Sequence, residues 1–381
     1  MEAAVRAEAR VDLAAIRANV TVLRERAPGA EVMAVVKADG YGHGLVPSAR
    51  AALAGGATWL GVSNVEEAVA LRTAGITEPR ILSWLATPGE RWTEALAAKV
   101  DVAAYSPWQL SEIAEAAASR GVAARVHLKI DSGLNRGGAH PRDWPALVDA
   151  ALSAQADGTV AVVGLWSHLA RADEPGHPSI TQQLDAFREA VAFAERVGIQ
   201  PEVRHLANSA ATLTVPDAHF DLVRPGIAVY GLSPIPETAP SDQLGLVPAM
   251  TLRARFALVK RVRAGEGVSY GHKYVTPRET TLGLVPLGYA DGVPRAASGV
   301  GPVWAAGSRR TIAGVVCMDQ FVLDLDDDPA VAGDEVVLFG PGTSGEPTAQ
   351  DWAEATGTIS YEIVTRIGAR VPRRYAGEEP R

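Results

Sequence analysis

The amino-terminal part of the chain alternates between short apolar runs and alanine-rich stretches of helical periodicity. Each run has the length and the Val, Ile and Leu content typical of a strand buried on both faces. The eight runs are Val32–Lys37, Thr58–Val62, Arg80–Trp84, Val100–Ala104, Arg125–Ile130, Val160–Ser167, Val203–Leu206 and Phe220–Arg224. Eight strand–helix units over about two hundred residues predict an α/β fold with an N-terminal (β/α)8 TIM-type barrel. A doubly wound sheet is the alternative, but it rarely needs eight consecutive right-handed units.

The clearest helical patterns between these strands have polar residues at their starts. They span Val65–Ala74, Pro107–Ala118 and Ile180–Val197. Side-chain oxygens of Ser and Asn satisfy the free amides of a first helical turn. We therefore expect caps at Asn64, Ser106 and Ser179.

A second domain is indicated beyond the proline-rich segment Pro234–Pro248, where alternating strand-like segments replace the helices. These segments are Leu252–Val262, Thr281–Pro286, Arg310–Val316, Gln320–Leu325 and Glu335–Phe339, with a single helix predicted at Thr348–Thr356. We predict a barrel domain over residues 1–240 and a C-terminal mainly-β domain over residues 241–381. The extreme N-terminus is a candidate to pack on the second domain, and the tail after Tyr375 is expected to be loose.

Composition excludes several classes of protein. A formal net charge of -8 argues against nucleic-acid binding, which needs a basic face. No apolar run is long enough to cross a bilayer. The stretch Met1–Arg10 does not resemble a secretory signal, and Cys317, the single cysteine, has no internal partner for a disulfide. A cytoplasmic location is the expectation, without nucleic-acid or membrane partners.

The residues with chemical potential follow the predicted strands, so the barrel would gather them at one rim. They are Lys37, Tyr41, Trp84, Lys129, Arg136, His168, Asn208, Ser209, Arg224 and Gly226. A lysine that ends a buried strand bears a desolvation cost unless its amine is used, for example as an imine with an aldehyde cofactor or a carbonyl substrate. Ser209 and Gly226-Ile227 lie in the loops after strands seven and eight, where such barrels commonly hold phosphate. Together these features predict a site for pyridoxal 5'-phosphate, although a lysine aldolase acting on a sugar phosphate needs similar parts.

The motif AVVKADGYGHG, which contains Lys37, resembles the cofactor-lysine signature of bacterial alanine racemases, which are pyridoxal-phosphate enzymes of fold type III. HLANSAA, DLVRPGIAVYG, VSYGHKY, GYADGVPR and VCMDQ are similar to further blocks of that family, in the same order. The resemblance covers nearly the whole chain. The segment IDSGLNRGG departs from the commonest form of the family motif but keeps the spacing of Lys129, Asp131, Gly133 and Arg136. The departure therefore bears on fine substrate selectivity and not on the reaction.

The resemblance implies a homodimer in which the β domain of one copy completes the active site of the other. Lys37 would hold the cofactor and act as one base, and Tyr270 of the other copy would be the opposite base. His168 and Arg224 would adjoin this tyrosine and favour its phenolate. Arg224 would also face the pyridine nitrogen, where an always-charged guanidinium cannot accept a proton.

The remaining roles are carried over from the family. Cofactor contacts are implied for Tyr41, Trp84, His168, Asn208, Ser209, Gly226, Ile227 and Tyr361. Arg136 and the Met318 amide of the second copy would bind the substrate carboxylate. Tyr289 and Arg295 would line a narrow entrance, and Lys129 matches a lysine that is carbamylated in some members. No metal is implied.

The sequence thus predicts interconversion of L- and D-alanine, which supplies D-alanine for peptidoglycan. A serine or broad-specificity amino-acid racemase is the nearest alternative. A pyridoxal-phosphate-dependent decarboxylase would share the architecture, but its glycine-triplet phosphate loop is missing. A non-catalytic pyridoxal-phosphate-binding protein would resemble the barrel alone and would not need the second domain.

Overall fold

The computed structural model describes residues 5–377. Met1–Ala4, within the stretch considered as a signal, and the last four residues of the predicted loose tail lie outside this range. In the described part of the tail, a short strand extends to Ala376.

Eight parallel strands form a nearly closed barrel, which confirms the predicted fold class. In chain order these strands are β2 (Glu31–Val35), β3 (Trp59–Val62), β4 (Arg80–Ser83), β5 (Asp101–Ala104), β6 (Ala124–Lys129), β7 (Val160–Trp166), β8 (Val203–His205) and β9 (Leu222–Val223). Each pairs with the next from β2 to β8, and β9 pairs with β2. The remaining seam, between β8 and β9, is bridged by backbone hydrogen bonds from Asp221 to Arg204 and from Arg224 to Ala207.

Helices surround the barrel, and one short segment, Lys37–Tyr41, lies at its carboxyl-end rim. The helices are α1 (Leu13–Arg26), α2 (Lys37–Tyr41), α3 (Leu45–Ala54), α4 (Val65–Thr73), α5 (Trp92–Ala97), α6 (Pro107–Arg120), α7 (Trp144–Ala156), α8 (Pro178–Arg196) and α9 (Ser209–Thr214). The Asn64 side chain caps α4 by accepting from the Glu67 amide. Ser106 precedes α6 but makes no side-chain cap. The cap predicted at Ser179 is wrong, because Pro178 opens α8 and the His177 ring accepts from the Ser179 amide.

The carboxyl-terminal part is built from short strands joined by turns, and its largest element is a six-stranded sheet. Its strands are β10 (Met250–Arg255), β11 (Leu258–Val262), β12 (Gly267–Val268), β13 (Tyr274–Val275), β14 (Thr280–Val285), β15 (Pro302–Ala305), β16 (Ser308–Thr311), β17 (Phe321–Asp324), β18 (Glu335–Phe339) and β19 (Arg373–Ala376). The main sheet has the order β16-β15-β18-β10-β1-β19, and its member β1 (Ala7–Asp12) comes from the amino terminus. Strands β11, β14 and β17 form a second sheet, and β12 and β13 a small ribbon.

Three expectations for this part are wrong. Leu252–Val262 is two strands in different sheets, because the chain breaks at Phe256–Ala257 between β10 and β11. The strand predicted over Arg310–Val316 ends at Thr311, and the chain turns at Gly314 in the left-handed region. A second helix, α11 (Ser360–Thr365), follows α10 (Ala349–Thr356). Six residues are too few to show helical periodicity.

The barrel interior combines apolar residues with two buried histidines. Met33, Trp59, Leu82, Ala103, Trp166, Val203 and Leu222, from seven strands, pack into one cluster. The rings of His127 and His205 are fully buried and contact this cluster. Gly164 on β7 lies against His127, so that a β-carbon there would overlap the imidazole. Among residues 5–377, no helix is both long and apolar enough to span a membrane.

We predict that Gly164→Ala destabilises the protein by about 1–3 kcal/mol, because the added methyl group overpacks the interior. Urea unfolding gives the change in free energy. The control is Gly368→Ala, since a β-carbon at Gly368 has only ordinary contacts, the nearest at 3.5 Å. Equal stability of the two variants would contradict this account of the barrel interior.

Candidate active site

Lys37 begins a left-handed turn at the carboxyl-end rim of the barrel. Ala38, Asp39, Gly40 and Tyr41 all have φ between +52° and +62°. Such a conformation is unfavourable for residues with a β-carbon and persists only where neighbouring groups enforce it. The α2 segment is therefore a specifically constrained turn that fixes the backbone directly after the lysine.

Polar contacts hold this turn from three sides. Glu67 accepts a hydrogen bond from the Ala38 amide at 2.6 Å, and Asp39 accepts from the Leu45 amide at 2.7 Å. The buried His43 ring lies 2.9 Å from the Tyr41 carbonyl oxygen through Nδ1. Burial lowers the pKa of His43 to about 4, so the ring is neutral and donates from Nδ1 to that carbonyl.

The Lys37 amine lies in a partly desolvated, cationic environment. Its Nζ is 5.8 Å from the centroid of the Trp84 ring. Burial lowers the pKa of Lys37, the charge of Arg136 lowers it further, and Glu67 opposes both effects. A larger fraction of the amine is therefore neutral and nucleophilic than for a solvated lysine.

Across the rim, Ser209, Gly226 and Tyr41 form a compact polar cluster. Ser209 follows Asn208, which caps α9 by accepting from the Ala211 amide. The Ser209 hydroxyl oxygen accepts from the amide of Gly226 at 2.7 Å. A β-carbon at Gly226 would overlap the Tyr41 hydroxyl, so this glycine allows the close approach of the phenol.

The cluster is extended by Ile227 and by a tyrosine of the second domain. Ile227 directly follows Gly226 and begins a 3₁₀ turn, Ile227–Tyr230. Tyr361 on α11 places its ring centroid 6.4 Å from that of Tyr41. Burial raises the pKa of Tyr41 and of Tyr361, so both phenols are protonated donors. Hydroxyl donors at such a loop are suited to a phosphate group.

Arg224 follows β9 and contacts the loop after β7. Its guanidinium donates to the Ser167 carbonyl oxygen at 2.8 Å and lies 3.0 Å from the His205 ring and 3.4 Å from the His168 ring. Its hydrogen-bond partners within residues 5–377 are carbonyl oxygens and ring nitrogens, and none is a carboxylate. Burial lowers the pKa of Arg224 to about 9 and, with the neighbouring charge of Arg224, lowers that of His168.

The end of β6 contributes Lys129, and the loop after it contributes Arg136. Asp131 accepts hydrogen bonds from the Gly133 and Asn135 amides, which folds the loop that carries the exposed Arg136. The Lys129 amine lies 4.6 Å from the centroid of the Trp166 ring. Burial, followed by the charges of Arg224 and Arg136, lowers the pKa of Lys129 to about 8.

Four other predicted residues lie on the second domain and not at this rim. Tyr270 is 76% exposed and its hydroxyl has no hydrogen-bond partner within residues 5–377, while Met318 is 54% exposed. The Ser269 hydroxyl donates to the Val315 carbonyl oxygen, which joins the two segments. Tyr289 and Arg295 adjoin the same strip: the Tyr289 amide donates to Cys317, and Ser298 links the Arg295 carbonyl to the Val316 amide.

Sequence reasoning missed three interior residues that contact the site. His205 and Trp166 stack on each other with ring centroids 5.5 Å apart, and His127 lies beside His205. His205 opens the motif HLANSAA, but it was not identified as functional. A polar residue at an inward-facing position of a buried strand is the signal that could have identified His127 and His205.

Family models match both parts of the chain. The model "Alanine racemase, N-terminal domain" matches residues 11–234, and "Alanine racemase, C-terminal domain" matches residues 249–375. The chain belongs to the alanine racemase family. The match covers the rim residues and the exposed strip of the second domain alike.

Relatives and solved structures agree with this assignment over their full lengths. An alanine racemase of Streptomyces coelicolor is 62% identical, covering 99% of this chain and 97% of the relative. One from Thermobifida fusca is also 62% identical, covering 97% and 98%. The crystal structure of alanine racemase from D-cycloserine-producing Streptomyces lavendulae superposes with a TM-score of 0.98 at 60% identity, covering 99% of each chain.

We predict that Ser209→Ala lowers the free energy of unfolding by about 1–3 kcal/mol, because the buried Gly226 amide loses its acceptor. Chemical denaturation measures the change. Ser119→Ala is the control: its exposed hydroxyl contacts the Ala116 carbonyl, and a change within about 0.5 kcal/mol is expected. A Ser209 variant as stable as the Ser119 variant would refute this account.

Proposed function

We propose that this protein is a pyridoxal 5'-phosphate-dependent racemase that interconverts L- and D-alanine in the cytoplasm and supplies D-alanine for peptidoglycan. The observation that carries the proposal is the arrangement at the barrel rim. There a partly desolvated lysine amine and the polar cluster formed by Ser209, Gly226 and Tyr41 lie at the same end of the barrel. Membership of the alanine racemase family agrees with it.

The residues present fit this cofactor. The Gly226 amide donates to the oxygen of Ser209, so the Ser209 hydroxyl proton is free to point away from the protein backbone toward a phosphate oxygen. The Tyr41 and Tyr361 phenols add two donors, and the space at Gly226 would be filled by any larger residue. Lys37 supplies the amine for the aldehyde, and Trp84 and Asn208 flank these groups at the rim.

When bound, the cofactor withdraws electron density from the α-carbon of an attached amino acid. Racemisation then needs one proton carrier on each face of that carbon. Lys37 is the carrier on one face, because its lowered pKa leaves a larger fraction of the amine neutral than in a solvated lysine. Tyr270 of a second copy is the carrier on the other face. This role explains why the Tyr270 side chain is 76% exposed in a single chain.

Arg224 limits how far negative charge spreads from the α-carbon. Its guanidinium offers only N–H donors, so it could not accept a hydrogen bond from a protonated pyridine nitrogen, which it would face when the cofactor is bound. A weaker electron sink favours rapid return of the proton to the α-carbon over competing reactions. His168, adjacent to Arg224, completes the contact toward the tyrosine base.

Substrate selection involves both copies. Arg136 and the Met318 amide of the second copy bind the carboxylate, and Tyr289 and Arg295 narrow the entrance to favour a side chain as small as that of alanine. These four residues lie on exposed segments, as a shared site requires.

We also propose that Lys129 is carbamylated. Addition of carbon dioxide needs a neutral amine, and a lysine with a pKa of about 8 supplies far more of it at neutral pH than an ordinary lysine. Arg136 and Arg224, whose charges disfavour the ammonium form, would favour the anionic carbamate. The carbamate would then position Arg136.

The function is tested by mixing two inactive variants, Lys37→Ala and Tyr270→Phe, and following L-alanine by chiral chromatography. Each variant alone is expected to lose almost all racemisation. If the sites are shared, each mixed dimer contains one intact site, and random exchange restores about a quarter of the wild-type rate. No restoration after verified subunit exchange would overturn the shared site.

Parallel incubations separate the alternatives. Comparable racemisation of L-serine would indicate a broad-specificity racemase, and carbon dioxide release from basic amino acids a decarboxylase. A wild-type protein that retains the cofactor without changing any amino acid would be a binding protein, contrary to the proposal.

For Lys129, we expect a carbamate signal in the ¹³C NMR spectrum of protein equilibrated with ¹³C-bicarbonate. The signal should increase between pH 6 and pH 8, because the neutral fraction of the amine rises toward its pKa of about 8. It should vanish in Lys129→Arg and persist in Lys260→Arg, which changes an exposed lysine. A signal that survives in Lys129→Arg would refute this modification.

A further inference from the structure

A row of buried polar side chains crosses the barrel interior beneath Arg224. Asp101 on β5, His127 on β6 and His205 on β8 point inward from their strands, and Arg224 follows β9. Both histidines are 0% exposed and Asp101 is 2% exposed. Buried polar groups of this kind are costly unless every one has a hydrogen-bond partner.

Each member of the row lies within hydrogen-bond distance of the next. The Arg224 guanidinium is 3.0 Å from Nδ1 of His205, and Nε2 of His205 is 2.9 Å from Nδ1 of His127. Nε2 of His127 is 3.4 Å from a carboxylate oxygen of Asp101. The row therefore links Arg224, at the carboxyl-end rim, to the carboxylate of Asp101 at the start of β5.

The chemistry of the two ends fixes the direction of every hydrogen bond. An arginine only donates and a carboxylate only accepts. Nδ1 of His205 must therefore accept from Arg224, which places the proton on Nε2. Nδ1 of His127 must in turn accept from His205, so that Nε2 of His127 donates to Asp101.

Burial agrees with this arrangement, because it keeps both rings neutral. The pKa of His205 is lowered by burial, then by the charge of Arg224 and by His127. Burial also lowers the pKa of His127, although Asp101 opposes the effect. A neutral imidazole has one donor and one acceptor, as each place in the row requires.

Arg125 holds the Asp101 carboxylate in place as an acceptor. Nε of Arg125 donates to it at 3.0 Å. The same guanidinium makes two 3.0 Å hydrogen bonds to Glu202, at the outer end of the barrel. The carboxylate that orients the histidines is thus anchored by a charge-assisted pair.

Aromatic packing fixes the ring positions. Trp166 stacks on His205 at an interplanar angle of 10°, and Trp59 meets His127 edge-on at 5.6 Å. Gly164 leaves space for the His127 ring. With the ring planes held by packing, Asp101 is left to select the tautomer.

We propose that Asp101 and His127 are positioning residues for Arg224: they hold His205 in the Nε2-protonated tautomer, so that its Nδ1 accepts from the guanidinium that faces the cofactor. This role depends on the proposed racemase function. If the direction were reversed, a proton on Nδ1 of His205 would oppose an N–H of Arg224. The arginine would then lose its ring acceptor and shift from the position at which it limits charge on the cofactor.

Two substitutions of similar size separate direction from packing. In Asp101→Asn, Arg125 occupies the amide oxygen, so the amide nitrogen donates to Nε2 of His127 and reverses both tautomers. In His127→Gln, one amide oxygen accepts from His205 and one N–H group donates to Asp101, so the direction is preserved. Glu202→Gln, which alters only the outer end, is the matched control.

The experiment combines ¹⁵N NMR of histidine-labelled holoenzyme with alanine racemisation kinetics. We expect Nε2-protonated His127 and His205 in the wild type and Nδ1-protonated rings in Asp101→Asn. In enzymes where a carboxylate orients an imidazole, replacing that carboxylate lowers kcat strongly. We therefore expect kcat of Asp101→Asn to fall about tenfold or more, with KM within about threefold. His127→Gln and Glu202→Gln should keep the His205 tautomer and a kcat within about threefold of wild type.

The proposal is overturned if His205 keeps its tautomer in Asp101→Asn, or if His127→Gln loses as much kcat as Asp101→Asn. Should Asp101→Asn fail to fold, His127→Phe replaces it. A loss of kcat in His127→Phe but not in His127→Gln supports the proposal, and equal kcat values in the two variants refute it. A wild type without racemase activity would refute the proposed function, while the ring tautomers would still decide the hydrogen-bond direction.

Discussion

Positive charge is concentrated at the carboxyl-end rim of the barrel, in a partly desolvated setting. Lys37 follows β2, Lys129 and Arg136 come from β6 and the loop after it, and Arg224 follows β9. Their mutual repulsion adds to burial in lowering the pKa of both lysines and of His168. Charges of one sign held in such a space raise the affinity for anions and keep amines neutral. This one electrostatic arrangement favours the phosphate of the proposed cofactor, the carboxylate of the proposed substrate and a neutral lysine amine.

Holding these cations close together at the rim requires a barrel interior that packs against their side chains and fixes them by hydrogen bonds. The barrel achieves this with large aromatic rings, a glycine that leaves room for an imidazole, and a polar row that ends on a carboxylate. Arg224 donates to two carbonyl oxygens, lies within hydrogen-bond distance of ring nitrogens of His205 and His168, and contacts no carboxylate within residues 5–377. The rim therefore retains a charge that a direct carboxylate contact would have neutralised.

The two parts of the chain contribute to the site in different ways. Tyr361 on α11 reaches the barrel rim within the same chain and packs beside Tyr41. Tyr270 and Met318 instead lie on an exposed strip of the second domain. The amino-terminal strand β1 ties the barrel to the main sheet of the second domain by pairing with β10 and β19. This connection limits independent movement of the two parts.

The sequence by itself determined the barrel, because eight buried strands separated by helices leave few other ways to cover both faces of a parallel sheet. It also located Lys37, Ser209, Gly226 and Arg224 at one rim, since residues that follow parallel strands share one end. Short or irregular elements could not be predicted in the same way: α11 lacks a full periodic pattern, and the break at Phe256 divides one apolar stretch between two sheets. Only the tertiary structure decided the left-handed turn after Lys37, the pKa values at the rim and the buried row from Asp101 to Arg224. These three features depend on which side chains, distant in sequence, pack together and exclude water from one another. Local sequence patterns do not contain that information.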